Sequence, residues 1–338
     1  MRTEILKVNP EDLDLSILER AARVISSGGL VVFPTETVYG LGANAFDAEA
    51  CSKIYKVKGR PQDNPLIVHI GSLEDLVRIV IHVPETAKRF LDRLWPGPLT
   101  AILEKKRDVP DVVTAGLKTV AVRFPSHPVA MNLIKLSGVP IAAPSANVFG
   151  RPSPTSPEHV LKDMLGKVDV IIDGGITPLG LESTIIDFTK DPPVVLRPGP
   201  LTVEQLLEIA PVRVSDHARG LGKVEGTSPS PGLKYRHYAP EKPLVLVENL
   251  SKMEEVLKEY EKPLIVCVEE RKDLYKGYDV RIVGSLKNEF SIAHNLFRIL
   301  READESDSEV IIFEGFPERG ILFSVMNRLR RASTKRVI

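Results

Sequence analysis

Polar residues crowd together immediately after an apolar run near the start of the chain. Residues 30–33 have the pattern of a buried strand, and residues 34–41 follow it with a proline, two threonines, a carboxylate, a tyrosine and a glycine. Ligands of open α/β sheets bind at the carboxyl ends of the strands, so this position favours a binding site. An ordinary turn is the alternative, because proline and glycine also punctuate turns. A second polar cluster at 58–66 tips the balance toward a site.

Four cationic side chains fall at the predicted ends of helices and strands, where they could converge on one anionic ligand. They are Lys58, Arg60, Arg123 and Arg197. Arginine offers a planar fork that suits a carboxylate or a phosphate, whereas lysine acts as a point charge. Lys58 and Arg60 lie in a glycine- and proline-rich turn, so we expect them at the site, with little buried surface lost if Lys58 is truncated. Arg123 and Arg197 could instead pair with a carboxylate at the edge of the core.

Hydroxyl side chains recur beside these cations and could orient a phosphate, a carboxylate or an amino-acid hydroxyl. Turn and helix-cap chemistry is the alternative explanation for most of them. Ser145 and Asn147 follow an apolar strand and so lie at a strand end. His69 ends another strand, where a lone histidine is more often structural than catalytic. The hydroxyl residues are Thr35, Thr37, Thr119, Ser145, Ser153, Ser183 and Thr184.

Several familiar ligand-binding motifs are absent from the sequence. It has no G-x-x-x-x-G-K-[ST] phosphate loop, no G-x-G-x-x-G fingerprint, no H-E-x-x-H and no G-x-S-x-G. The seven histidines are scattered, so we predict no metal site built by the protein, although three dispersed ligands would not be visible in a sequence. A nucleotide site must then be built from the dispersed cations and hydroxyls.

Helices and strands alternate along the first 210 residues. The closing strands follow one another closely, which favours antiparallel neighbours, so we expect a mixed sheet rather than a fully parallel one. The predicted helices cover 14–27, 47–55 with Asp47 as its cap and an end near Gly59, two segments within 72–94, 128–137 and 157–165. The predicted strands cover 30–33, 66–70, 99–103, 120–124, 141–143, 168–172, 184–188 and 194–196.

The pattern dissolves between residues 211 and 240. Proline, glycine and serine dominate there and no apolar period survives, which is typical of a linker. The segment is also basic and contains a Lys-Tyr-Arg-His-Tyr run at 234–238. A passive tether does not need these side chains, although docking the rings on a domain surface would also explain them. We expect a functional segment.

Alternation resumes after Pro243. Strands are predicted at 244–247, 264–268, 280–283 and 310–313, and helices at 251–260, 292–301 and 323–331. This order predicts βαβ units and a small parallel, Rossmann-like sheet, without a binding fingerprint. We therefore divide the chain into an α/β domain at 1–210, a linker at 211–240 and a smaller α/β domain at 241–338.

The composition is that of an ordinary globular protein. Forty-five lysines and arginines balance forty-five acidic residues, so no overall field attracts nucleic acid or membrane. Only two cysteines occur, Cys51 and Cys267, which excludes a disulfide scaffold and a cysteine-based zinc site and fits a reducing compartment. No signal-like start and no long apolar run are present, so we expect a cytoplasmic location without a membrane partner.

Together the polar motifs resemble those of the threonylcarbamoyl-adenylate synthase family, also called YrdC-like. The matching segments occur in the family's order: 34–41, 58–66, Pro-Ser-Ala-Asn at 144–147, Ser-Thr-Ile-Ile-Asp at 183–187 and Leu-Arg-Pro-Gly at 196–199. Residues 230–240 are similar to the linker of the longer, two-domain members, in which it folds back over the cavity. The resemblance implies a twisted, open α/β sheet around a deep, positively lined cavity, followed by the Rossmann-like domain.

The resemblance also implies an activity. Members of the family make L-threonylcarbamoyl-adenylate from L-threonine, bicarbonate or CO2, and ATP, with release of pyrophosphate. The product serves the modification of the tRNA adenosine next to the anticodon, so a downstream tRNA threonylcarbamoyltransferase is the expected partner. Mg²⁺ would accompany ATP and bridge its phosphate oxygens. Whether tRNA is contacted directly, the oligomeric state, the general base and the role of the second domain stay open.

Site residues are carried over by motif. The resemblance assigns threonine binding to Thr35, His69, Arg123, Ala143 and Ser183. It assigns ATP binding to Lys58, Arg60, Gln62, Thr119, Ser145, Ser153 and Arg197, with Tyr235, Arg236 and His237 from the linker. It assigns catalysis to Thr35, Lys58, Arg60, Ser145 and Asn147.

Two alternatives come from other classes of function. A carbamoyl-adenylate-forming maturation factor has a related domain but also cysteine-rich zinc modules, which two cysteines cannot supply. A non-catalytic RNA-binding module is conceivable because the linker and the C-terminal helix are basic. The balanced net charge and the absence of an aromatic-rich RNA motif weigh against it.

Overall fold

The computed structural model describes residues 2–221, 226–228, 230 and 234–338. Within them the chain forms two α/β units, each built on its own sheet. The remaining parts of the predicted linker, residues 222–225, 229 and 231–233, lie outside the described residues.

The first unit is built on a large mixed sheet. Its strands are β1 (Glu4–Lys7), β2 (Val31–Phe33), β3 (Gly40–Asn44), β4 (Ile67–His69), β5 (Leu99–Glu104), β6 (Thr119–Arg123), β7 (Ile141–Ala143), β8 (Val170–Asp173), β9 (Thr184–Asp187), β10 (Val194–Arg197) and β11 (Arg213–Val214). Their order is β1-β8-β2-β3-β7-β4-β6-β5-β9-β10-β11. Parallel and antiparallel neighbours alternate irregularly along it, which confirms the predicted mixed sheet.

Helices cover both faces of this sheet. They are α1 (Leu15–Ser26), α2 (Ala48–Lys58), α3 (Leu76–Ile79), α4 (Glu85–Leu94), α5 (Asp111–Thr114), α6 (Pro128–Ser137), α7 (Pro157–Met164) and α8 (Val203–Leu207). The expected Asp47 cap is present, and the Asp14 side chain caps α1 in the same way, since both accept amide hydrogen bonds at the starts of their helices. Gly59 ends α2 in the left-handed region with φ 65°. A large apolar cluster fills one face and a smaller one, under α1 and α6, the other.

Strand β3 was not predicted from the sequence. Its glycines and alanine have low strand propensity, and pairing with β2 and β7 overrides it. A Cβ on Gly42 would lie 2.6 Å from Cγ2 of Ile141 and 2.7 Å from Cε1 of Phe33. Glycine is therefore required here by the close approach of neighbouring strands. The short strands β1 and β11 were also missed, and β11 extends the sheet into the segment predicted as linker.

The second unit is built on a sheet that is fully parallel within the described residues, as predicted, but it has five strands where four were predicted, because the C-terminal strand at 335–337 was missed. Its strands are β12 (Leu244–Val247), β13 (Pro263–Val268), β14 (Asp279–Gly284), β15 (Val310–Glu314) and β16 (Lys335–Val337), in the order β14-β13-β15-β12-β16. Its helices are α9 (Met253–Leu257), α10 (Glu289–Asp304) and α11 (Gly320–Ala332). Four 3-10 helices occur in the described chain, at Leu73–Asp75, Asp216–Arg219, Leu250–Lys252 and Glu269–Tyr275.

The two units share one apolar cluster. Val38 and Leu181 of the first unit and Tyr238 of the linker pack with the buried side chains of α10 and α11. The ring of Tyr238 stacks on Phe297 of α10, with centroids 5.3 Å apart. The second unit therefore packs directly against the first rather than being held only by the linker.

Candidate active site

A cavity opens over the central strands of the large sheet. It offers about 560 Å³ of space, part of it open to solvent. Strand β7 runs antiparallel to β4, so their carboxyl ends point in opposite directions. The cavity consequently lies across the face of the sheet, where Ile67 and His69 both line it, and not along one edge as the strand-end argument predicted. The predicted site residues in its lining are Thr35, Arg60, His69, Arg123, Ala143, Ser145, Ser183, Arg197 and His237.

The Pro-Thr-Glu-Thr segment is both a turn and a cavity wall. The Thr35 hydroxyl donates to the Val38 carbonyl at 2.6 Å and lies 2.8 Å from the Thr37 hydroxyl. It also accepts from the backbone N–H groups of Thr37 and Val38, each at 3.2 Å. The turn is thus closed by its own hydroxyl, and Thr35 is 2 % exposed. A ligand that used this hydroxyl would exchange one of these contacts.

Arg123 has both of the environments that the sequence left open. It ends β6 in the cavity wall and is 4 % exposed. One guanidinium nitrogen donates to the Thr37 hydroxyl at 2.8 Å, and the other lies 2.7 Å from the Glu36 carboxylate. Glu36 itself is buried, at 6 % exposure. The ion pair holds the guanidinium in place while part of its fork faces the cavity.

Lys58 departs from its predicted environment. It is the last residue of α2 and is 2 % exposed, so truncating it would remove buried surface. Its Nζ donates to the Ser145 carbonyl at 2.5 Å and to the Asn147 carbonyl. Burial, with a smaller contribution from Arg60, holds the pKa of Lys58 well below its usual value. The expectation of an exposed turn cation was wrong because the 144–147 segment folds over the end of the helix.

Arg60 and Arg197 approach the cavity from other elements. Arg60 donates to the carbonyls of Asn64 at 3.0 Å and Pro65 at 2.9 Å, and burial lowers its pKa to about 10. Arg197 donates to the Ser183 carbonyl at 3.1 and 3.0 Å and to the Ser183 hydroxyl at 3.1 Å. Burial also lowers the pKa of Arg197. Both side chains are thus held mainly by neutral acceptors, which leaves their charge available to an anion.

Two buried histidines of the cavity are held neutral. Burial, reinforced by Arg123, lowers the pKa of His69 to about 3, and its Nδ1 lies 3.2 Å from the Ile67 carbonyl. Burial, reinforced by Arg60, lowers the pKa of His237 well below its usual value. Nε2 of His237 makes no hydrogen bond with the residues that the structure describes, so it can accept from or donate to a ligand. A row of cations around neutral imidazoles is suited to an anionic ligand.

Family models cover both units. Residues 23–199 match the Sua5/YciO/YrdC family, described as "Telomere recombination", and residues 201–334 match "Threonylcarbamoyl-AMP synthase, C-terminal domain". The chain belongs to the threonylcarbamoyl-AMP synthase family. Residues 23–199 contain the motifs in the cavity wall, and residues 201–334 contain the linker residue His237.

Proteins named threonylcarbamoyl-AMP synthase are similar to this chain over nearly its whole length. The threonylcarbamoyl-AMP synthase of Pyrococcus abyssi is 48% identical over 94% of this chain and 94% of its own length. That of Bacillus subtilis is 44% identical over 95% of this chain and 94% of its own length. The crystal structure of P. abyssi Sua5 complexed with L-threonine is similar, with a TM-score of 0.91 and 44% identity, over 99% of this chain and all of that one.

Some predicted site residues of this threonylcarbamoyl-AMP synthase family member lie behind the cavity wall. The Ser145 hydroxyl donates to the Asn147 side-chain oxygen at 2.5 Å, and the Asn147 amide donates to the carbonyls of Val148 and Arg151. Asn147 therefore shapes the loop that carries Ser145. The Ser153 hydroxyl donates to the Glu182 carboxylate at 2.5 Å, so Ser153 supports a wall residue without lining the cavity itself.

Four other predicted ATP contacts lie outside the lining. Gln62 is exposed. Thr119 begins β6 whereas Arg123 ends it, which separates them by about 13 Å along the strand. The Tyr235 hydroxyl donates to the Asp63 carboxylate, and Arg236 donates to the Ala332 carbonyl at 3.2 and 2.9 Å. Their roles at an ATP site stay predictions.

The lining contains residues that were not assigned individually from the sequence, and two of them, Glu182 and Tyr238, matter most for the chemistry. Glu182 directly precedes the Ser183 motif, and Tyr238 ends the linker run that supplied His237. Both adjoin assigned residues, and this adjacency was the available signal. Tyr238 adopts a left-handed backbone with φ 62°, which is unusual for a residue other than glycine.

A search of the described residues found neither a grouping of His, Cys, Asp and Glu able to hold a metal ion nor a helix long and apolar enough to cross a membrane.

Proposed function

We infer that this chain synthesises L-threonylcarbamoyl-adenylate from L-threonine, bicarbonate or CO2, and ATP, with release of pyrophosphate. The product serves threonylcarbamoylation of the tRNA adenosine next to the anticodon. The observation that carries this conclusion is the match of both units, over nearly full length, to enzymes named threonylcarbamoyl-AMP synthase. The buried cationic cavity supports it, because each substrate except CO2 carries an anionic group.

The chemistry needs no nucleophile from the protein. The threonine amine adds to CO2 and loses a proton to give a carbamate. A carbamate oxygen then attacks the α-phosphorus of ATP, forming the mixed anhydride as the bond to pyrophosphate breaks. Two anions that repel each other must be brought together, so positioning and charge stabilisation can supply the catalysis. A set of buried arginines serves that need better than a catalytic triad.

We assign the cavity residues to the two substrates by their chemistry. Arg123 presents a fork of the kind that binds a carboxylate, and its neighbours Thr35 and His69 offer a hydroxyl and a neutral imidazole to the threonine. Arg60 and Arg197 are placed to meet the phosphates of ATP. Lys58 lies behind them and would act through its charge and through the Ser145 carbonyl that it holds.

Mg²⁺ would enter with ATP. The cavity region contains two carboxylates near these residues, and each is paired with an arginine: Glu36 with Arg123, and Glu182 with Arg328. Because both carboxylates already have arginine partners, the residues present fit a Mg²⁺ ion that is held mainly by the phosphate oxygens of ATP. The ion would neutralise negative charge on the departing pyrophosphate.

The cellular setting extends the same proposal. The mixed anhydride is reactive, so a tRNA threonylcarbamoyltransferase should consume it soon after release. We propose a cytoplasmic location, supported by the two unpaired, buried cysteines, Cys51 and Cys267. The enzyme could also bind tRNA directly, as the RNA-binding alternative assumed, and a binding assay with tRNA can test this alongside catalysis.

Pyrophosphate release is the decisive assay. The purified chain, with ATP and Mg²⁺ and without RNA, should release pyrophosphate only when both threonine and bicarbonate are present. Serine in place of threonine, and bicarbonate-depleted buffer, are the matched controls. Release independent of threonine, or none at all, would contradict the proposed function.

A further inference from the structure

An arginine of the second unit is buried against the wall of the cavity. Arg328 lies on α11 and is 0 % exposed. Its Nε donates to the Glu182 carboxylate at 3.1 Å, and its other nitrogens donate to the carbonyls of Pro198, at 2.5 Å, and Glu182, at 3.4 Å. All three acceptors belong to the first unit. The second unit thus places a full charge next to the substrate site.

Glu182 is a carboxylate in an otherwise cationic lining. It is 6 % exposed and lines the cavity directly before Ser183. Its two carboxylate oxygens are divided between the Ser153 hydroxyl, at 2.5 Å, and Arg328. Its charge also acts on Arg197 and Tyr238, opposing the burial that lowers the pKa of Arg197 and adding to the burial that raises the pKa of Tyr238. Without a close counter-ion, this carboxylate would repel an incoming polyanion.

Arg328 also touches the linker. Its guanidinium carbon lies 5.6 Å from the centre of the Tyr238 ring, on the ring face. Tyr238 lines the cavity and stacks on Phe297, so its ring is held between two residues of the second unit. One arginine therefore contacts two separate parts of the cavity wall.

We propose that Arg328 is a positioning residue of the synthase site: the counter-ion, supplied by the second unit, that neutralises Glu182 and lets the cavity accept the polyanionic nucleotide. This inference rests on the proposed function, because it concerns ATP as the substrate. ATP is a polyanion, whereas threonine is a zwitterion without net charge. Loss of Arg328 should hence affect ATP far more than threonine.

Arg301 distinguishes this role from simple docking of the two units. It lies on α10, is 4 % exposed and pairs across the same interface with Asp163 at 2.7 Å. Its remaining hydrogen bonds go to the Pro152 carbonyl. Neither Arg301 nor Asp163 lines the cavity. Arg301→Met therefore removes a comparable buried ion pair whose carboxylate does not line the cavity.

The experiment measures KM for ATP and KM for threonine in the full-length chain, by pyrophosphate release, for wild type and four variants. Arg328→Met should raise KM for ATP on the order of tenfold and KM for threonine much less. Arg328→Lys keeps the charge and should stay close to wild type in the ratio of the two constants. Glu182→Gln combined with Arg328→Met removes the unpaired charge and should restore most of the ATP affinity. Arg301→Met should lower the unfolding temperature without changing the ratio.

Equal rises of both KM values in Arg328→Met, matched by Arg301→Met and not rescued by Glu182→Gln, would show that Arg328 only docks the units. An unchanged KM for ATP in a folded Arg328→Met would show that Arg197 alone compensates Glu182, which also overturns the proposal. If Arg328→Met does not fold, Arg328→Lys and the double variant decide between the same outcomes. A wild-type chain without threonine-dependent pyrophosphate release would instead refute the proposed function.

Discussion

At the scale of single residues, the main feature of the cavity region is a set of four buried cationic side chains, three of which have no anionic partner within hydrogen-bonding distance among the described residues. Lys58, Arg60, Arg123 and Arg197 are each at most 8 % exposed. Neutral oxygens satisfy Lys58, Arg60 and Arg197, and Arg123 has a carboxylate partner. Removing a cation from water without an anionic partner is unfavourable. Binding of ATP would therefore stabilise the folded protein as well as orient the nucleotide.

Arg123→Lys should weaken threonine binding more than ATP binding. An ammonium cannot reproduce a forked contact with a carboxylate, although it keeps the charge that Glu36 requires. Michaelis constants for both substrates check this, with Arg319→Lys, in an exposed ion pair with Glu289, as the control. A lower unfolding temperature with an unchanged threonine constant would mean that Arg123 is a structural ion-pair residue.

Lys58→Met should greatly reduce ATP affinity, by about 1.5–3 kcal/mol, because it removes a buried positive charge but keeps the side-chain stem. Lys58→Ala should in addition lower the free energy of unfolding by about 2 kcal/mol or more, since it leaves a cavity beside the 144–147 loop. Titration calorimetry with ATP measures the first effect and urea unfolding the second. The control is Lys56→Met, since Lys56 lies two residues earlier on the same helix and is exposed. Unchanged ATP affinity in Lys58→Met would remove Lys58 from the site.

Acidification should destabilise the protein through its buried histidines. Burial lowers the pKa of His69 to about 3 and that of His159 to about 4, below the 6.5 of an unfolded histidine. Below pH 6.5 the unfolded chain binds protons that the folded chain refuses, so stability falls by about 1.4 kcal/mol per pH unit for each group. Urea unfolding at pH 7, 6 and 5 measures the slope. His69→Gln should flatten it, whereas His82→Gln, on a side chain 60% exposed, should not.

At the scale of elements, the sequence predicts what local patterns encode and misses what only pairing creates. Helix α1 was placed within a residue at each end by its apolar spacing, and α2 was placed by the Asp47 cap and the stop near Gly59. Strand β3 was missed because its glycines are explained by close packing against Phe33 and Ile141 and not by local propensity. Lys58 was assigned to the site, but its burial depends on a loop some ninety residues away. Glu182 adjoins the predicted Ser183 motif, but its pairing with Arg328 of α11 could not be predicted because the partner lies in the second unit.

The end of the linker is held against the first unit at several points. Lys234 pairs with Asp63, and Tyr235 donates to the same carboxylate at 2.7 and 2.8 Å. The Ala239 amide donates to the Gly150 carbonyl at 2.8 Å. Between these contacts, His237 and Tyr238 line the cavity. We propose that the segment serves as a lid, which would protect the carbamate and the mixed anhydride from water.

Bound substrates should protect this lid from proteolysis. ATP and threonine should add contacts beneath His237 and Tyr238. The linker end would then stay held against the first unit for more of the time, and a protease would cut it more slowly. Limited proteolysis, read by mass spectrometry with and without both ligands, measures the rate within 211–240. Cleavage in the loop after α10 serves as the internal control. Equal linker cleavage rates with and without ligands would reduce the linker to a tether.

At the scale of the whole molecule, the second unit completes a site that the first unit mostly builds. It holds Tyr238 through Phe297, pairs Glu182 through Arg328, and shares an apolar cluster with Val38 and Leu181. The sequence predicted its parallel sheet from strand and helix alternation. Its part in the cavity could not be predicted, because no binding fingerprint marks it and the contacts join residues that are far apart in the sequence, by 146 positions for Arg328 and Glu182.

Deletion of everything after Pro211 should accordingly leave a folded first unit with little or no synthase activity. The large sheet keeps ten of its eleven described strands and most of its apolar core, so cooperative unfolding should persist. The truncated unit loses the lid, exposes Val38 and Leu181, and leaves Glu182 without Arg328. Circular dichroism during heating measures the fold, and pyrophosphate release measures activity. A second truncated chain, which ends four residues later at Ser215, keeps β11 and controls for damage to the edge of the sheet. Full activity in either truncated form would contradict both the lid and the participation of the second unit in the site, whereas loss of cooperative unfolding would show that the first unit needs the second to fold.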